Sequence, residues 1–162
     1  MNITIVGATG NVGRKIIEVL EKKNFPADNL YLVASSKSAG SKLRFKEKEI
    51  EVENLETFDF SKSKITFFSA GSKISEKYAT KAAEHSTVID NSSYFRMDPN
   101  VPLIVPEVNP KDLKDYKKKN IIANANCSVI PLVVALKPLH DLYNIKRIIA
   151  STYQSVSGAG KA

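Results

Sequence analysis

The stretch Val6–Gly13, VGATGNVG, joins the apolar strand-like run Asn2–Val6 to the helix-like run Gly10–Lys23. In this setting a first glycine allows a tight turn, a second lets the backbone approach a pyrophosphate, and a third lets the helix pack closely on the strand. Gly7, Gly10 and Gly13 stand at those three places, and the N–H groups of the helix start would bind the anion. The spacing is G-x-x-G-x-x-G, so a tight turn without a ligand remains the alternative.

Apolar runs and helical periodicity alternate along the rest of the chain, which predicts a mostly parallel, doubly wound α/β sheet. Pro99, Pro102 and Pro106 mark Ser92–Asn109 as an irregular loop, and Pro138 predicts a kink or a break in the last helix. Further predicted strands are Leu30–Ala34, Leu43–Phe45, Glu49–Val52, Phe58–Phe60, Ile65–Phe68, Thr87–Asp90, Asn120–Ala123 and Lys146–Ser155, and further predicted helices are Ser75–Glu84, Lys111–Lys119 and Ser128–Leu142.

Composition excludes several classes of protein. The 162 residues are 43% hydrophobic and carry a net charge of +7, but the lysines are scattered, and the one dense cluster, Lys117–Lys119, ends a predicted helix. We therefore expect no nucleic-acid partner. No apolar run approaches the roughly 20 residues of a membrane helix, and no histidine and cysteine spacing fits a metal site. The single cysteine suits a reducing compartment, so we expect a cytoplasmic protein without a membrane partner.

The segment after the second predicted strand bears on the choice of cofactor. NAD-binding domains usually present an acidic residue there to the ribose 2′-hydroxyl. This chain has Ser35, Lys37 and Ser38 instead. Hydroxyls and a cation suit a 2′-phosphate, which favours NADP(H). A solvated polar loop is the alternative.

The triplet Asn126-Cys127-Ser128 stands between a strand-like run and a helix-like run. A thiol in the first turn of a helix lies at the positive end of the helix dipole, which favours the thiolate, and a thiolate can hold an acyl group. The alternative is a small buried hydrophobe. Arg96 offers a fork for phosphate or carboxylate, or it is an ordinary surface arginine. Gln154, near the end of an apolar run, either binds a substrate or faces water.

Several segments together resemble the aspartate-semialdehyde dehydrogenase family, and the resemblance covers essentially the whole chain. They are Val6–Gly13 (VGATGNVG), Ala34–Gly40 (ASSKSAG), Phe68–Ser72 (FSAGS), Asp90–Asp98 (DNSSYFRMD), Val101–Asn109 (VPLIVPEVN), Asn126–Ser128 (NCS), Leu136–Asp141 (LKPLHD) and Ser151–Gly160 (STYQSVSGAG).

The resemblance implies NADPH-dependent reduction of L-4-aspartyl phosphate to aspartate semialdehyde and inorganic phosphate, in the pathway to lysine, threonine and methionine. It implies that Cys127 is the nucleophile beside Asn126, that Gln154 orients the substrate and that Arg96 binds phosphate. The cofactor contacts that the glycine run and the resemblance together imply are Gly7, Thr9, Gly10, Asn11, Val12, Gly13, Ser35, Lys37, Ser38, Ser157 and Gly158.

The resemblance also implies two domains in a chain of about twice this length, which forms a homodimer. Residues 1–126 would be a Rossmann-like NADP-binding domain, and 127–162 the truncated start of an α+β catalytic and dimerisation domain. The family's catalytic histidine would lie in the missing half, so we expect these residues alone to be inactive. The chain departs from the family at Ala125, where proline is usual, and at Ser128–Pro131, where Ser-Thr-Ile-Gln is usual. Two other hypotheses are an N-acetylglutamyl-phosphate-type reductase and a non-catalytic NADP-binding module.

Overall fold

The structure is a computed structural model, and it describes residues 1–155. Within that range, three α-helices and two 3-10 helices accompany eight strands. The strands are β1 Ile3–Val6, β2 Leu30–Ala34, β3 Lys42–Phe45, β4 Lys48–Asn54, β5 Ile65–Phe68, β6 Thr87–Asp90, β7 Leu103–Ile104 and β8 Ile121–Asn124. The α-helices are α1 Asn11–Lys22, α2 Ser72–Ala83 and α3 Val129–Tyr143, and the 3-10 helices are Phe60–Lys62 and Pro110–Lys118.

All eight strands form one sheet in the order β3-β4-β2-β1-β5-β6-β8-β7. The chain starts in the middle at β1, builds outward through β2 and β4, and then returns to the other side of β1 with β5, β6 and β8. Only the β3–β4 hairpin pairs antiparallel. The order reverses between β1 and β5, and ligands of open α/β sheets bind outside the carboxyl ends of the strands at such a point.

Helices cover the two faces of the sheet, as the doubly wound prediction requires. On one face Ile3 and Ile5 of β1 pack with Ile17 and Leu20 of α1. On the other face Val6 belongs to a cluster with α2 and the aromatic side chains that precede β5. Every residue of β1 is buried, including Thr4, whose hydroxyl is hydrogen-bonded to that of Ser63 at 2.5 Å. The predicted mostly parallel α/β fold is confirmed.

The predicted strand Phe58–Phe60 is wrong. Phe60 begins a 3-10 helix, because the side chain of Asp59 accepts hydrogen bonds from the backbone N–H and the hydroxyl of Ser61, at 2.9 and 2.8 Å, and so turns the chain. The two aromatic rings are buried against each other, edge to face, with their centroids 5.3 Å apart. The apolar pattern therefore reports burial of these rings and not strand pairing.

Two further predictions, for Lys146–Ser155 and for Ser92–Asn109, are also wrong. Lys146–Ser155 forms no strand, and Ile149 and Tyr153 in it are 85% and 100% exposed. A strand requires a neighbouring strand, and no strand among the described residues lies paired with this segment. Ser92–Asn109 is not wholly irregular, because it contains β7, which pairs in parallel with Ala123 and Asn124 of β8. A two-residue strand is too short to show a period in the sequence.

The helices differ from prediction in detail. The predicted helix Lys111–Lys119 is a 3-10 helix over Pro110–Lys118. Helix α3 continues through Pro138, so the predicted break is wrong. Proline at that place removes one N–H donor to the preceding turn, and the helix keeps its remaining hydrogen bonds. No residue of α3 is buried. Among the described residues, no helix is long and apolar enough to cross a membrane.

Candidate active site

The candidate residues follow the carboxyl ends of neighbouring parallel strands. Ser35 comes after β2, Gly7 after β1, Asn91 after β6 and Asn126 after β8, with the Ser69–Gly71 turn after β5. In the sheet these strands lie in the order β2, β1, β5, β6, β8. Four spacings of about 4.8 Å place the two ends of this row about 19 Å apart. The segments thus share one edge of the sheet, although they are far apart in sequence.

Gly7 is required by the close approach of two loops. Its backbone φ is +83°, in the left-handed region that glycine favours. Its N–H donates to the carbonyl oxygen of Val33 at 2.8 Å, which ties the turn to β2. A Cβ at this position would lie 2.9 Å from backbone atoms of Ser69. The loops that follow β1 and β5 therefore meet at the point where the strand order reverses.

Gly13 and Gly10 differ in the space that surrounds each of them. A Cβ on Gly13 would lie 2.2 Å from the carbonyl oxygen of Gly7, so the helix can pack on the loop only with glycine there. A Cβ on Gly10 would meet only that same oxygen, at 3.3 Å, and Gly10 has an ordinary φ of −75°. The packing of the chain therefore leaves open the side of the loop on which Gly10 lies.

The start of α1 has the features of an anion site. No side chain caps it, and no acidic residue lies in its first turn. The N–H groups of a helix's first turn have no partner inside the helix, and here they belong to Asn11, Val12 and Gly13. The nearby Arg14 side chain donates to the carbonyl oxygen of Thr9 at 3.1 Å, which steadies the loop. These residues fit the pyrophosphate of a dinucleotide.

The segment after β2 forms a compact turn. The N–H groups of Ser38 and Ala39 both donate to the carbonyl oxygen of Ser35, at 2.9 and 3.0 Å. Lys37 is exposed, and no ion pair engages it among the described residues. Its charge is therefore available at the end of the row where a ribose would extend from the glycine loop.

Cys127 is exposed at the start of a helix, so the buried-hydrophobe alternative is wrong. The side-chain oxygen of Asn126 accepts hydrogen bonds from the N–H and the hydroxyl of Ser128, at 3.0 and 2.7 Å. It lies 3.9 Å from the Cys127 sulfur. The N–H of Ile130 donates to the carbonyl oxygen of Asn126 at 3.0 Å. The Asn126 side chain and carbonyl oxygen thus close a turn directly before α3, whose N-cap residue is Ser128.

The departure at Pro131 explains where α3 begins. Proline has no N–H to donate to the carbonyl oxygen of Cys127, four residues earlier. The regular helix therefore starts at Val129 and not at Ser128. Cys127 remains in the turn that the Asn126 side chain closes.

Arg96 is half-buried and held in place, so it is not a free surface arginine. Its Nε donates to the carbonyl oxygen of Asn124 and its Nη2 to that of Asn91, both at 3.0 Å. A guanidinium has five N–H donors, so three remain for an anion. We did not identify Asn91 and Asn124 from the sequence as site residues. The signal was an asparagine at the carboxyl end of each of two neighbouring strands.

Gln154 is a predicted site residue that no contact among the described residues joins to this edge. Gln154 is exposed in a segment without regular structure, and among the described residues no hydrogen bond joins it to Cys127. Ser157 and Gly158 lie outside the described residues. Within residues 1–155, no group of three or more histidine, cysteine or acidic side chains is arranged to hold a metal ion.

Comparison with known proteins identifies the family. The family described as "Semialdehyde dehydrogenase, NAD binding domain" matches residues 2–116. The chain belongs to this family. The aspartate-semialdehyde dehydrogenase of Aquifex aeolicus is 57% identical over 160 residues, which are 98% of this chain and 47% of that protein. The chain therefore spans about half the length of the curated relatives it matches.

Solved structures of the same family agree with the fold. The crystal structure of aspartate semialdehyde dehydrogenase II from Vibrio cholerae, complexed with ASA, has a TM-score of 0.96 at 52% identity and covers 99% of this chain and 48% of its own. The enzyme from Candida albicans, solved with NADP, has a TM-score of 0.71 at 28% identity and covers 89% of this chain and 48% of its own. The NAD-binding domain of the family thus matches both in sequence and in structure.

Proposed function

We propose that the whole protein containing these residues reduces L-4-aspartyl phosphate to L-aspartate 4-semialdehyde and phosphate, with NADPH as the reductant and an acyl thioester on Cys127. One observation carries the proposal: an exposed cysteine, in the turn directly before α3, shares a sheet edge with an uncapped glycine loop and a held arginine. A nucleophile, an anion-binding fork and a dinucleotide cradle are the parts that this chemistry needs. The relatives are named aspartate-semialdehyde dehydrogenases.

The Cys127 sulfur attacks the acyl carbon, the carbon–oxygen bond to the phosphoryl group breaks, and phosphate leaves. The free N–H donors of Arg96 bind the phosphoryl oxygens and stabilise their charge as it develops. Asn126 holds the turn that presents the sulfur, through its hydrogen bonds to Ser128. NADPH supplies a hydride when bound. The carbon–sulfur bond then breaks, which releases the semialdehyde and the thiolate.

The cofactor is assigned to the row from the glycine loop to the turn after β2. Thr9–Gly13 and the N–H groups of α1 take the pyrophosphate, and Ser35, Lys37 and Ser38 take the 2′-phosphate. Lysine offers a point charge and not a planar fork, so discrimination against NAD depends on that charge. Ser157 and Gly158 remain predicted contacts of the same cofactor, and Gln154 remains a predicted contact of the substrate.

The domain division at 126/127 and the homodimer belong to the same proposal, as does a cytoplasmic location. The proton-transfer group is assigned to the part of the relatives that this chain does not span. Proton transfer contributes typically about 10²–10⁴-fold to a rate. Residues 1–162 alone are therefore expected to bind NADP(H) but to turn over little or no substrate.

The test is a comparison of two semialdehydes with the whole protein, phosphate and NADP⁺, following the appearance of NADPH. We expect turnover of aspartate semialdehyde and little of N-acetylglutamate semialdehyde, and none after Cys127→Ala. Preference for the acetylated substrate would contradict the substrate assignment. Binding of NADPH without turnover of either would favour a non-catalytic module.

A further inference from the structure

We propose that Asn91 and Asn124 form a positioning pair, which fixes the guanidinium of Arg96 relative to Cys127. The proposal rests on the proposed function, because it takes Arg96 as the anion-binding group. Neither asparagine is assigned contact with the substrate. Each acts through Arg96.

The two asparagines first join three strand ends. The side-chain N–H of Asn124 donates to the side-chain oxygen of Asn91 at 2.7 Å. The side-chain N–H of Asn91 donates to the carbonyl oxygen of Phe68 at 3.3 Å, and its backbone N–H donates to the same oxygen at 2.9 Å. The carboxyl ends of β5, β6 and β8 are thereby linked by side chains, beyond the last bonds of the strand ladder. The distance between the β6 and β8 loops is set at this pair.

The backbone oxygens of the same two residues then hold the arginine. Nε of Arg96 donates to Asn124 and Nη2 to Asn91. Because a guanidinium is planar and rigid, two contacts along one edge fix both its plane and its direction. The carbonyl oxygen of Asn124 lies on the strand that leads directly to Cys127, three residues on. A change in the separation of the two asparagines therefore tilts the arginine relative to the sulfur.

A buried carboxylate supports the loop that carries Arg96. Asp90 is fully buried, and its side chain accepts hydrogen bonds from the Ser75 hydroxyl at 2.8 Å, the Ser92 N–H at 2.9 Å and the Ser92 hydroxyl at 2.7 Å. The hydroxyls of Ser72 and Ser93 are hydrogen-bonded at 2.8 Å. The loop is thus fastened on the α2 side, and the asparagine pair fastens it on the β8 side. The loop that carries Arg96 is thus held on both sides.

The inference is tested by steady-state kinetics of the whole protein with aspartate semialdehyde, inorganic phosphate and NADP⁺. Asn124→Ala and Asn91→Ala are expected to raise the KM for phosphate about tenfold, since a displacement of about 1 Å can cost as much as about 10²-fold. The KM for NADP⁺ is expected to stay within twofold, on the order of the ordinary scatter. Asn100→Ala is the matched control, an exposed asparagine four residues beyond Arg96.

A double-mutant cycle separates positioning from general loosening. If the pair acts through Arg96, then Asn124→Ala has no further effect on the KM for phosphate once Arg96→Ala is present. An equal effect in both backgrounds would overturn the proposal, as would an unchanged KM in the single variants. If Asn124→Ala does not fold, Asn124→Asp is measured in its place. It keeps the shape and places an oxygen against the Asn91 oxygen, and it should raise the same KM.

The proposal and the function on which it rests fail in different ways. If Arg96→Ala impairs phosphate use while the asparagine variants do not, the function stands and the pair is contradicted. If the wild-type protein turns over no substrate, the proposed function fails. Calorimetric titration with inorganic phosphate then tests the pair directly, with a tenfold weaker dissociation constant expected for Asn124→Ala and an unchanged one contradicting it.

Discussion

The Nε of Arg96 lies 3.0 Å from the carbonyl oxygen of Asn124, three residues before Cys127. The arginine belongs to the loop after β6, and the cysteine follows β8, the next strand in the sheet. This hydrogen bond joins the proposed anion-binding group to the strand that carries the proposed nucleophile. The distance between the two groups is therefore set by the sheet and not by a flexible loop.

Replacing Asn126 should destabilise the start of α3. In Asn126→Ala the N–H and hydroxyl of Ser128 lose their acceptor, and loss of such a hydrogen bond costs about 1 kcal/mol. Urea unfolding measures the difference. Asn126→Asp, which keeps an oxygen that can accept both hydrogen bonds, should retain most of the stability. Equal losses in the two variants would show that these hydrogen bonds contribute nothing to stability.

Alanine substitutions at two glycines of the loop should have different effects, one on stability and the other on cofactor binding. Gly13→Ala drives a Cβ to 2.2 Å from the Gly7 oxygen, and we expect a loss of about 3 kcal/mol in the free energy of unfolding. Gly10→Ala meets one atom at 3.3 Å, and it should cost less than about 1 kcal/mol. Its methyl group instead occupies the approach of the pyrophosphate, so NADPH binding should weaken.

The two readouts are urea unfolding and titration of NADPH fluorescence. A Gly10→Ala protein that binds NADPH like the wild type would contradict the cradle. A Gly13→Ala protein of unchanged stability would contradict the close packing of α1 on the loop.

Replacing Lys37 should weaken the binding of NADPH and spare NADH. Hydrogen bonds to charged groups contribute about 1.5–3 kcal/mol, so Lys37→Ala is expected to raise the dissociation constant of NADPH by about tenfold or more. NADH lacks the 2′-phosphate and should bind about as it does to the wild type. Lys23→Ala, at the far end of α1, is the control. A similar loss for both cofactors would assign Lys37 a different role.

The ion pair between Asp98 and Lys119 should make stability depend on pH in the acid range. The Lys119 ammonium, 2.6 Å from the carboxylate, and the N–H of Asn100 hold the pKa of Asp98 below its usual 3.8. A lowered pKa in the folded state means that the stabilisation is present above the unfolded value and is lost as the pH falls through the folded value.

Asp98→Asn should therefore be less stable than the wild type at neutral pH, by roughly 0.5 kcal/mol for a pair at the surface. The difference in the free energy of unfolding should shrink as the pH falls below about 4. A difference that is constant down to acid pH would mean that the charge of Asp98 is not what stabilises the loop.

The sequence predicted the parallel core because each central strand is an apolar run between turn signals. The apolar pattern failed for two segments that do not pair with a strand. Phe58 and Phe60 are buried as rings against each other. Lys146–Ser155 has no partner strand among the described residues, and its Ile149 and Tyr153 are exposed. Both segments contain apolar residues in a strand-like pattern, which does not report whether their backbones pair with a neighbouring strand.

The part of the candidate site that depends on a local sequence pattern could be predicted. The glycine loop and Cys127 were predicted from their place between a strand and a helix, and Lys37 from its place after the second strand. Asn91 and Asn124 were not, because their roles depend on a 2.7 Å contact between segments 33 residues apart. The sheet order alone makes those segments neighbours, and a local pattern carries no sign of it.

The measurement that tests the central claim most directly is the mass of the whole protein after it is mixed with aspartate semialdehyde and NADP⁺ in the absence of phosphate. Oxidation of the aldehyde on the thiol would release one NADPH for each acyl group formed, and without phosphate the acyl group stays on the protein. We expect the added mass of one aspartyl group, mapped to Cys127 by peptide analysis and absent in Cys127→Ala. An adduct on another residue, or phosphate-dependent turnover that survives in Cys127→Ala, would contradict the account.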